Sequence, residues 1–332
     1  MEDSEVLNES VENRGARSKS QKAVSQIVIT AMMLAISIAI KGITELIPVF
    51  NWPLGGSVSL AMVPLVLTAL ICGPIYGTAA GVAFGIIDFF FDGVIGWTPN
   101  VTAVLLSLLL DYVIGFGACG LAGLFRKQFY ERKVWVSSVA MTVAGVVRFF
   151  SSFLSGVIVF TSAFDYGSSS GLAVDFTGAG MLYSFNYNIG YMLPTIGLSI
   201  LVFIILIKPV FTVLDYPVIR PLTPKNITVS ESTKNMLPSF EALMPLNLSI
   251  TGLLAIAGMI APFQIFWFGY ISGLIAVALG VYEVIMLVSP KNVDKDKTLT
   301  YIFLGLAVLV LALSVVAVIS PYTYGASFYP AE

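Results

Sequence analysis

One carboxylate stands inside a long apolar run. The run is LLSLLLDYVIGFGACGLAGLFR, Leu105 to Arg126, and the carboxylate is Asp111, followed at once by Tyr112. A bilayer core of about 30 Å takes roughly 20 residues of α-helix, so this run is long enough to cross. Holding a charge at that depth costs about 3 kcal/mol or more on insertion scales, and such a group normally faces protein, water or a ligand. We read Asp111 as facing a solute site. A second group of polar side chains lies in MLYSFNYNIGYMLP, residues 181–194. Tyr183, Tyr187 and Tyr191 are four apart and share one helix face, with Asn188 beside it. Aromatic faces with an amide and a carboxylate suit a flat heteroaromatic ligand, above all a cationic one. The alternative is a belt of aromatics at the membrane interface. Trp52, in FNWPLGGSVSLAMVP (50–64), and Trp97 carry the same two readings, a lid over the site or an interfacial anchor.

A third stretch, VVRFFSSFLSGVIVF (146–160), holds Arg148, Ser151, Ser152 and Ser155. A buried arginine seeks a carboxylate, and Asp111 and Asp88 are the candidates. Pairing with Asp111 would make that aspartate structural. Serines inside a helix can satisfy themselves on backbone carbonyls and say little alone. The chain has no histidine, which removes His-based catalysis and His metal ligands. There is no phosphate-cradling GxxxxGK[ST] pattern and no metal cluster, so no enzyme and no cofactor is expected. If nucleotide hydrolysis drives transport, the ATPase is another chain. Cys72 and Cys119 read as small buried apolar residues. The net charge of −2 gives no reason to expect a nucleic-acid partner.

These groups need membrane helices to position them. Only 11% of the 332 residues are charged, against about 25% in an ordinary soluble domain. The apolar segments are continuous rather than alternating, so the expected class is an all-α integral membrane protein. Six spans are expected at about 23–46, 59–72, 75–91, 105–126, 134–160 and 181–207. Three more follow at about 243–261, 265–288 and 299–319. The expected division is a disordered cytoplasmic tail (1–22), a six-helix binding module (23–209), a cytoplasmic linker (210–240), a three-helix extension (241–322) and a short outer tail (323–332). Four basic clusters, at residues 14–22, 126–133, 208–234 and 291–297, fall on one face if there are nine spans. That face is expected to be cytoplasmic, with the amino terminus inside and the carboxyl terminus outside. In the first span Ala31, Ala35 and Ala39 recur every four residues, a small-residue face for close helix packing, either inside this chain or against a partner. Glu283, in the eighth span, is a further intramembrane carboxylate.

The order of these pieces resembles a known family. Ala31-x-x-x-Ala35, GGSVSLAMVPLVLTAL (55–70), GPIYGTAAGVAFGIIDF (73–89), LLDYVIGFGACGLAGLF (109–125), RFFSSFLSGVIVF (148–160) and YSFNYN (183–188) resemble the thiamine-specific substrate-binding subunits of energy-coupling factor transporters, the ThiT/YuaJ family. The resemblance covers roughly residues 21–209 and implies a six-helix bundle there. It implies that Asp111 and Tyr112 are the acidic and aromatic ligand contacts of the fourth span, that Tyr183 and Asn188 are those of the sixth, and that Trp52 is the first-loop tryptophan. Two positions depart from the family: Ser152 stands where some members have histidine, and Phe160 where they have tryptophan. The resemblance implies capture of thiamine or a close analogue or precursor. It further implies partnership with a membrane coupling subunit, docked on Ala31, Ala35 and Ala39, and with two cytoplasmic ATPases. Against it stand an autonomous transporter driven by carboxylate protonation and a structural membrane protein with no ligand.

Overall fold

The computed structural model describes residues 2–47, 50–51, 56–96, 101–133, 135–160, 178–225, 227, 251, 266–288, 304–312 and 314–315. Helix α1 runs Glu2–Glu45, α2 Met62–Cys72, α3 Pro74–Phe91, α4 Val101–Tyr130, α5 Val136–Val159, α6 Gly178–Val213 and α7 Phe266–Val288. Among the described residues, five stretches are long and apolar enough to cross a membrane: Lys19–Glu45, Pro74–Phe91, Val101–Tyr130, Val136–Val159 and Tyr187–Ile207. The protein is an all-α integral membrane protein.

The central helix is α2, which is apolar all round and buried at every residue. A helix with no polar face belongs inside a bundle. At about 1.5 Å per residue it is too short to cross alone, so the second expected span is a half-length core helix. Gly73, at φ +108°, turns the chain sharply into α3, whose first residue is Pro74. Three groups cap the carbonyls that α2 leaves open at its end. Gln26 donates to the Cys72 carbonyl at 2.7 Å, and Arg126 Nε and the Tyr130 hydroxyl each donate to that of Ile71 at 3.1 Å.

Helices α3 and α4 meet backbone to backbone. A Cβ added at Gly81 would lie 2.1 Å from the Phe116 carbonyl oxygen, and one at Gly85 would lie 2.2 Å from that of Tyr112. The glycine stripe of α3 is therefore the seat of α4, the small-residue contact that membrane helices favour. The middle of α4 widens into a π-helix over Leu108–Ile114 and then tightens to 3₁₀ over Ala118–Phe125. Widened turns of this kind often coincide with functional sites.

Two boundaries differ from the sequence reading. The tail expected to be disordered is helical from Glu2, continuous with the first span. Acidic residues 2, 3 and 5 stand where a helix dipole favours them, and no proline interrupts the run. The linker expected at 210–240 begins as packed structure. Helix α6 continues to Val213, and Leu214, Ile219 and Leu222 are buried. Arg126 and Arg132 hold this segment down through the carbonyls of Leu222 and Phe211, and Arg132 also pairs with Asp215 at 2.6 Å. The rest of the linker apart from residues 223–225 and 227, nearly all of the expected span 243–261, part of the expected span 299–319, and the tail 323–332 lie outside the described residues. Helix α7 packs on α6 through Ile275, Ala276 and Leu279, which join the main core. Glu283 finds a partner there: the Thr251 hydroxyl donates to its Oε1 at 2.7 Å.

Candidate functional site

Asp111 lies within the π-helical turn of α4. Its Oδ2 accepts from the Ser107 hydroxyl at 3.0 Å, one turn earlier, and from the Ser155 hydroxyl of α5 at 2.5 Å. Ser152, buried on α5, stands near the same carboxylate. Ser151 fixes the same turn by donating to the Leu110 carbonyl at 2.6 Å. Among the described residues no cation lies within 4.0 Å of Asp111. The group is a half-buried carboxylate ringed by hydroxyls, with no cation among the described residues at ion-pair distance.

Asn188 stands beside it on α6. Its amide donates to the Ser184 carbonyl at 2.9 Å and to that of Ser152 at 3.3 Å, while its Oδ1 accepts from the Tyr191 hydroxyl at 3.1 Å. Tyr191 is buried, within hydrogen-bonding reach of Ser152 and edge-on to Tyr187. A chain of polar groups thus runs Asp111, Ser152, Tyr191, Asn188 across α4, α5 and α6. Gly156 permits this approach, since a Cβ there would lie 2.0 Å from Ser184 Oγ. The site therefore includes Ser107, Ser155, Ser184 and Tyr191 besides the expected Asp111, Ser152 and Asn188. Trp52 and the side chains of Tyr183 and Phe160 lie outside the described residues.

Tyr112 turns the other way. Its ring is packed edge-on against Phe89 with centroids 5.4 Å apart, and its hydroxyl donates to Asp92 Oδ2 at 2.7 Å. Asp92 belongs to an ionic cluster that the sequence reading missed. Lys41, 2% exposed, lies 2.8 Å from Glu45, 3.2 Å from Asp88 and 2.8 Å from Asp92, and donates to the Ser57 hydroxyl at 3.0 Å. A lysine and a glutamate four apart inside an apolar span were the available signal. Arg148, expected to pair with Asp111 or Asp88, forms an ion pair with neither within 4.0 Å. Its guanidinium lies over the Phe116 ring, 3.8 Å from the centroid. Lys41 already lies against Asp88, and the aromatic face takes the second cation.

Lys41, Asp88 and Asp92 sit at the carboxyl ends of α1 and α3, Ser155 ends the regular part of α5, and Asn188 lies in the first turns of α6. All of them gather at one end of the bundle. At the first-helix face, Ala31, Ala35 and Ala39 are exposed beside Met32 and Ile36. They pack against nothing among the described residues.

A helical membrane bundle with a polar, carboxylate-bearing site enclosed at one end defines a membrane transport protein. The comparisons narrow the class: a family model described as Thiamine transporter protein (Thia_YuaJ) matches residues 27–214, and the chain belongs to that family. The match takes in every helix from α1 to α6. The thiamine transporter ThiT of Bacillus subtilis (strain 168) is 26% identical over 182 residues, covering 52% of this chain and 85% of that protein. No solved structure matches the chain.

Proposed function

We propose that this chain is the thiamine-capture subunit of an ATP-driven importer, without catalytic activity of its own. The observation that carries the reading is Asp111: a carboxylate at membrane depth, held by the Ser107 and Ser155 hydroxyls, with no cation among the described residues within 4.0 Å. Formal charges point the same way. Lys41 and Arg148 face Glu45, Asp88, Asp92 and Asp111, an excess of two negative charges around the site. Thiamine carries one positive charge on a flat thiazolium ring, so its entry reduces an imbalance that a low-dielectric interior makes costly.

In this reading Asp111 supplies charge or accepts a hydrogen bond from the ligand. Asn188 and Tyr191 fix its orientation, with Ser152 between them, and Tyr183, Phe160 and Trp52 add aromatic surface. Tyr112, turned away from Asp111, anchors α4 to the Lys41 cluster and so positions the site rather than touching the ligand. The amino-terminal end of α1 faces the cytoplasm, and the site opens on the other side. A membrane coupling subunit docks on the Ala31, Ala35 and Ala39 face, and two cytoplasmic ATPases act through it. The family assignment supports the ligand, and the exposed alanine face supports the docking.

Proteoliposomes test the mechanism. The chain alone, under a proton or sodium gradient, is expected to bind labelled thiamine without accumulating it. Accumulation is expected only when a coupling subunit and its ATPases are co-reconstituted with ATP. Gradient-driven accumulation by the chain alone would overturn the capture-subunit reading.

A further inference from the structure

A cavity of about 10 Å³ lies beside the site, lined by Lys41, Ser57, Ser59, Asp88, Phe116 and Arg148 among others. That is close to the least volume, about 10–15 Å³, that lodges one water molecule. Two of its polar walls are incomplete. The lysine ammonium has three protons, and the contacts at 2.8, 2.8 and 3.0 Å to Glu45, Asp92 and Ser57 take them. The Lys41 ammonium lies 3.2 Å from Asp88 Oδ1 as an ion pair without hydrogen-bond geometry, so this buried oxygen has a charge beside it and no hydrogen-bond donor. Arg148 Nε is likewise buried without an acceptor. One group lacks a donor, the other lacks an acceptor, and both line the same small cavity. Leaving either unmet is expensive, and a buried water with two to four polar partners is the usual remedy.

We propose that this cavity is a water site, in which one water accepts from Arg148 Nε and donates to Asp88 Oδ1, with the Ser57 and Ser59 hydroxyls at hand for its remaining valence. The bridge ties the guanidinium to Asp88 and keeps it off Asp111. It thereby sets ligand specificity: Asp111 stays available to a cation because the nearest arginine is held elsewhere. This rests on the thiamine-capture reading for its ligand, and on the cavity alone for the water.

Double-mutant cycles in detergent without ligand test the bridge. Asp88→Asn and Arg148→Gln should lower the melting temperature non-additively, while Asp111→Asn and Arg148→Gln should add. Additive losses for the first pair, or strong coupling in the second, would overturn the bridge. Ligand titrations test the specificity. In Asp88→Asn the freed arginine should weaken thiamine by roughly tenfold or more, with a change of less than about twofold for the uncharged aminopyrimidine half of thiamine. Adding Arg148→Gln should restore thiamine binding. Equal weakening of both ligands would mark a merely structural role and refute the proposal. If Asp88→Asn does not fold, Arg148→Gln alone decides: thiamine bound at least as tightly as by the wild type supports the proposal, and a several-fold loss contradicts it. A wild type that ignores thiamine sinks the functional reading, and the ligand-free cycles still decide the water.

Discussion

Lys41→Met removes the ammonium that lies against Glu45, Asp88 and Asp92. The methionine keeps the length and apolar stem of lysine, so packing changes little. What remains is Asp88 and Asp92, with side chains 4% and 7% exposed, and Glu45 at 28%, none of them with its cation. Breaking a buried pair by deleting one partner costs about 3–5 kcal/mol, because the survivor's charge stays buried. For a module of this size each kcal/mol moves the melting temperature by about 2–4 °C, which gives a fall of roughly 6–20 °C. The assay is thermal unfolding of the detergent-solubilised protein followed by intrinsic fluorescence. Adding Asp92→Asn should recover part of the loss, since it removes one of the stranded charges while leaving a hydrogen-bonding partner for Tyr112. A fall under about 2 °C, or a further fall in the double variant, would refute the claim that Lys41 neutralises these carboxylates.

Other expectations concern packing, docking and the serine ring. Gly85→Ala places a Cβ against the Tyr112 carbonyl and should cost about 1–3 kcal/mol or more as overpacking. Gly42→Ala, with nothing within 4 Å of the added carbon, should be stabilising by about 0.5–1 kcal/mol. Unfolding curves of the two variants should therefore move in opposite directions. Ala35→Leu should leave thiamine affinity intact and reduce ATP-driven uptake with the coupling subunit, measured in proteoliposomes; normal uptake would remove the docking face from the account. Arg126→Ala strips a donor from the Ile71 and Leu222 carbonyls, so the segment 214–222 should become the earliest site of proteolysis. Ser155→Ala should weaken thiamine by roughly tenfold or more, since a hydrogen bond to a charged group is worth about 1.5–3 kcal/mol, and Ser155→Thr should retain most of the affinity.

The helices were legible because continuous apolar runs of sufficient length have few other fates. Asp111 was legible for the same reason, as a charge at membrane depth. The environment of Asp111 was not. Ser155 and Tyr191 come to the site from α5 and α6, and no spacing rule within one segment reports which helix another will touch; Ser107, four residues before Asp111 on the same helix, was within reach of such a rule. Lys41 escaped notice although its type and depth were as unusual as those of Asp111. The expected pairing of Arg148 failed because a lysine from α1, far off in sequence, reaches Asp88 first. The shortness of α2 was already in the expected bounds of 59–72, whereas its burial on every side was not, since a helix buried on all sides and a lipid-facing span have the same composition. The linker was misread because its prolines and charges suggested solvent, while Leu214, Ile219 and Leu222 supplied enough apolar surface to dock.

The central claim is that Asp111 is the anion that receives a cationic ligand. Isothermal titration of thiamine into the purified wild-type chain and into Asp111→Asn tests it most directly. The account predicts saturable one-to-one binding by the wild type and a loss of roughly 10-fold or more in the variant, the worth of a charge-assisted contact. The variant should remain folded by its unfolding curve. Equal affinity in the two proteins would contradict the role given to Asp111, and the absence of saturable binding by the wild type would contradict thiamine capture itself.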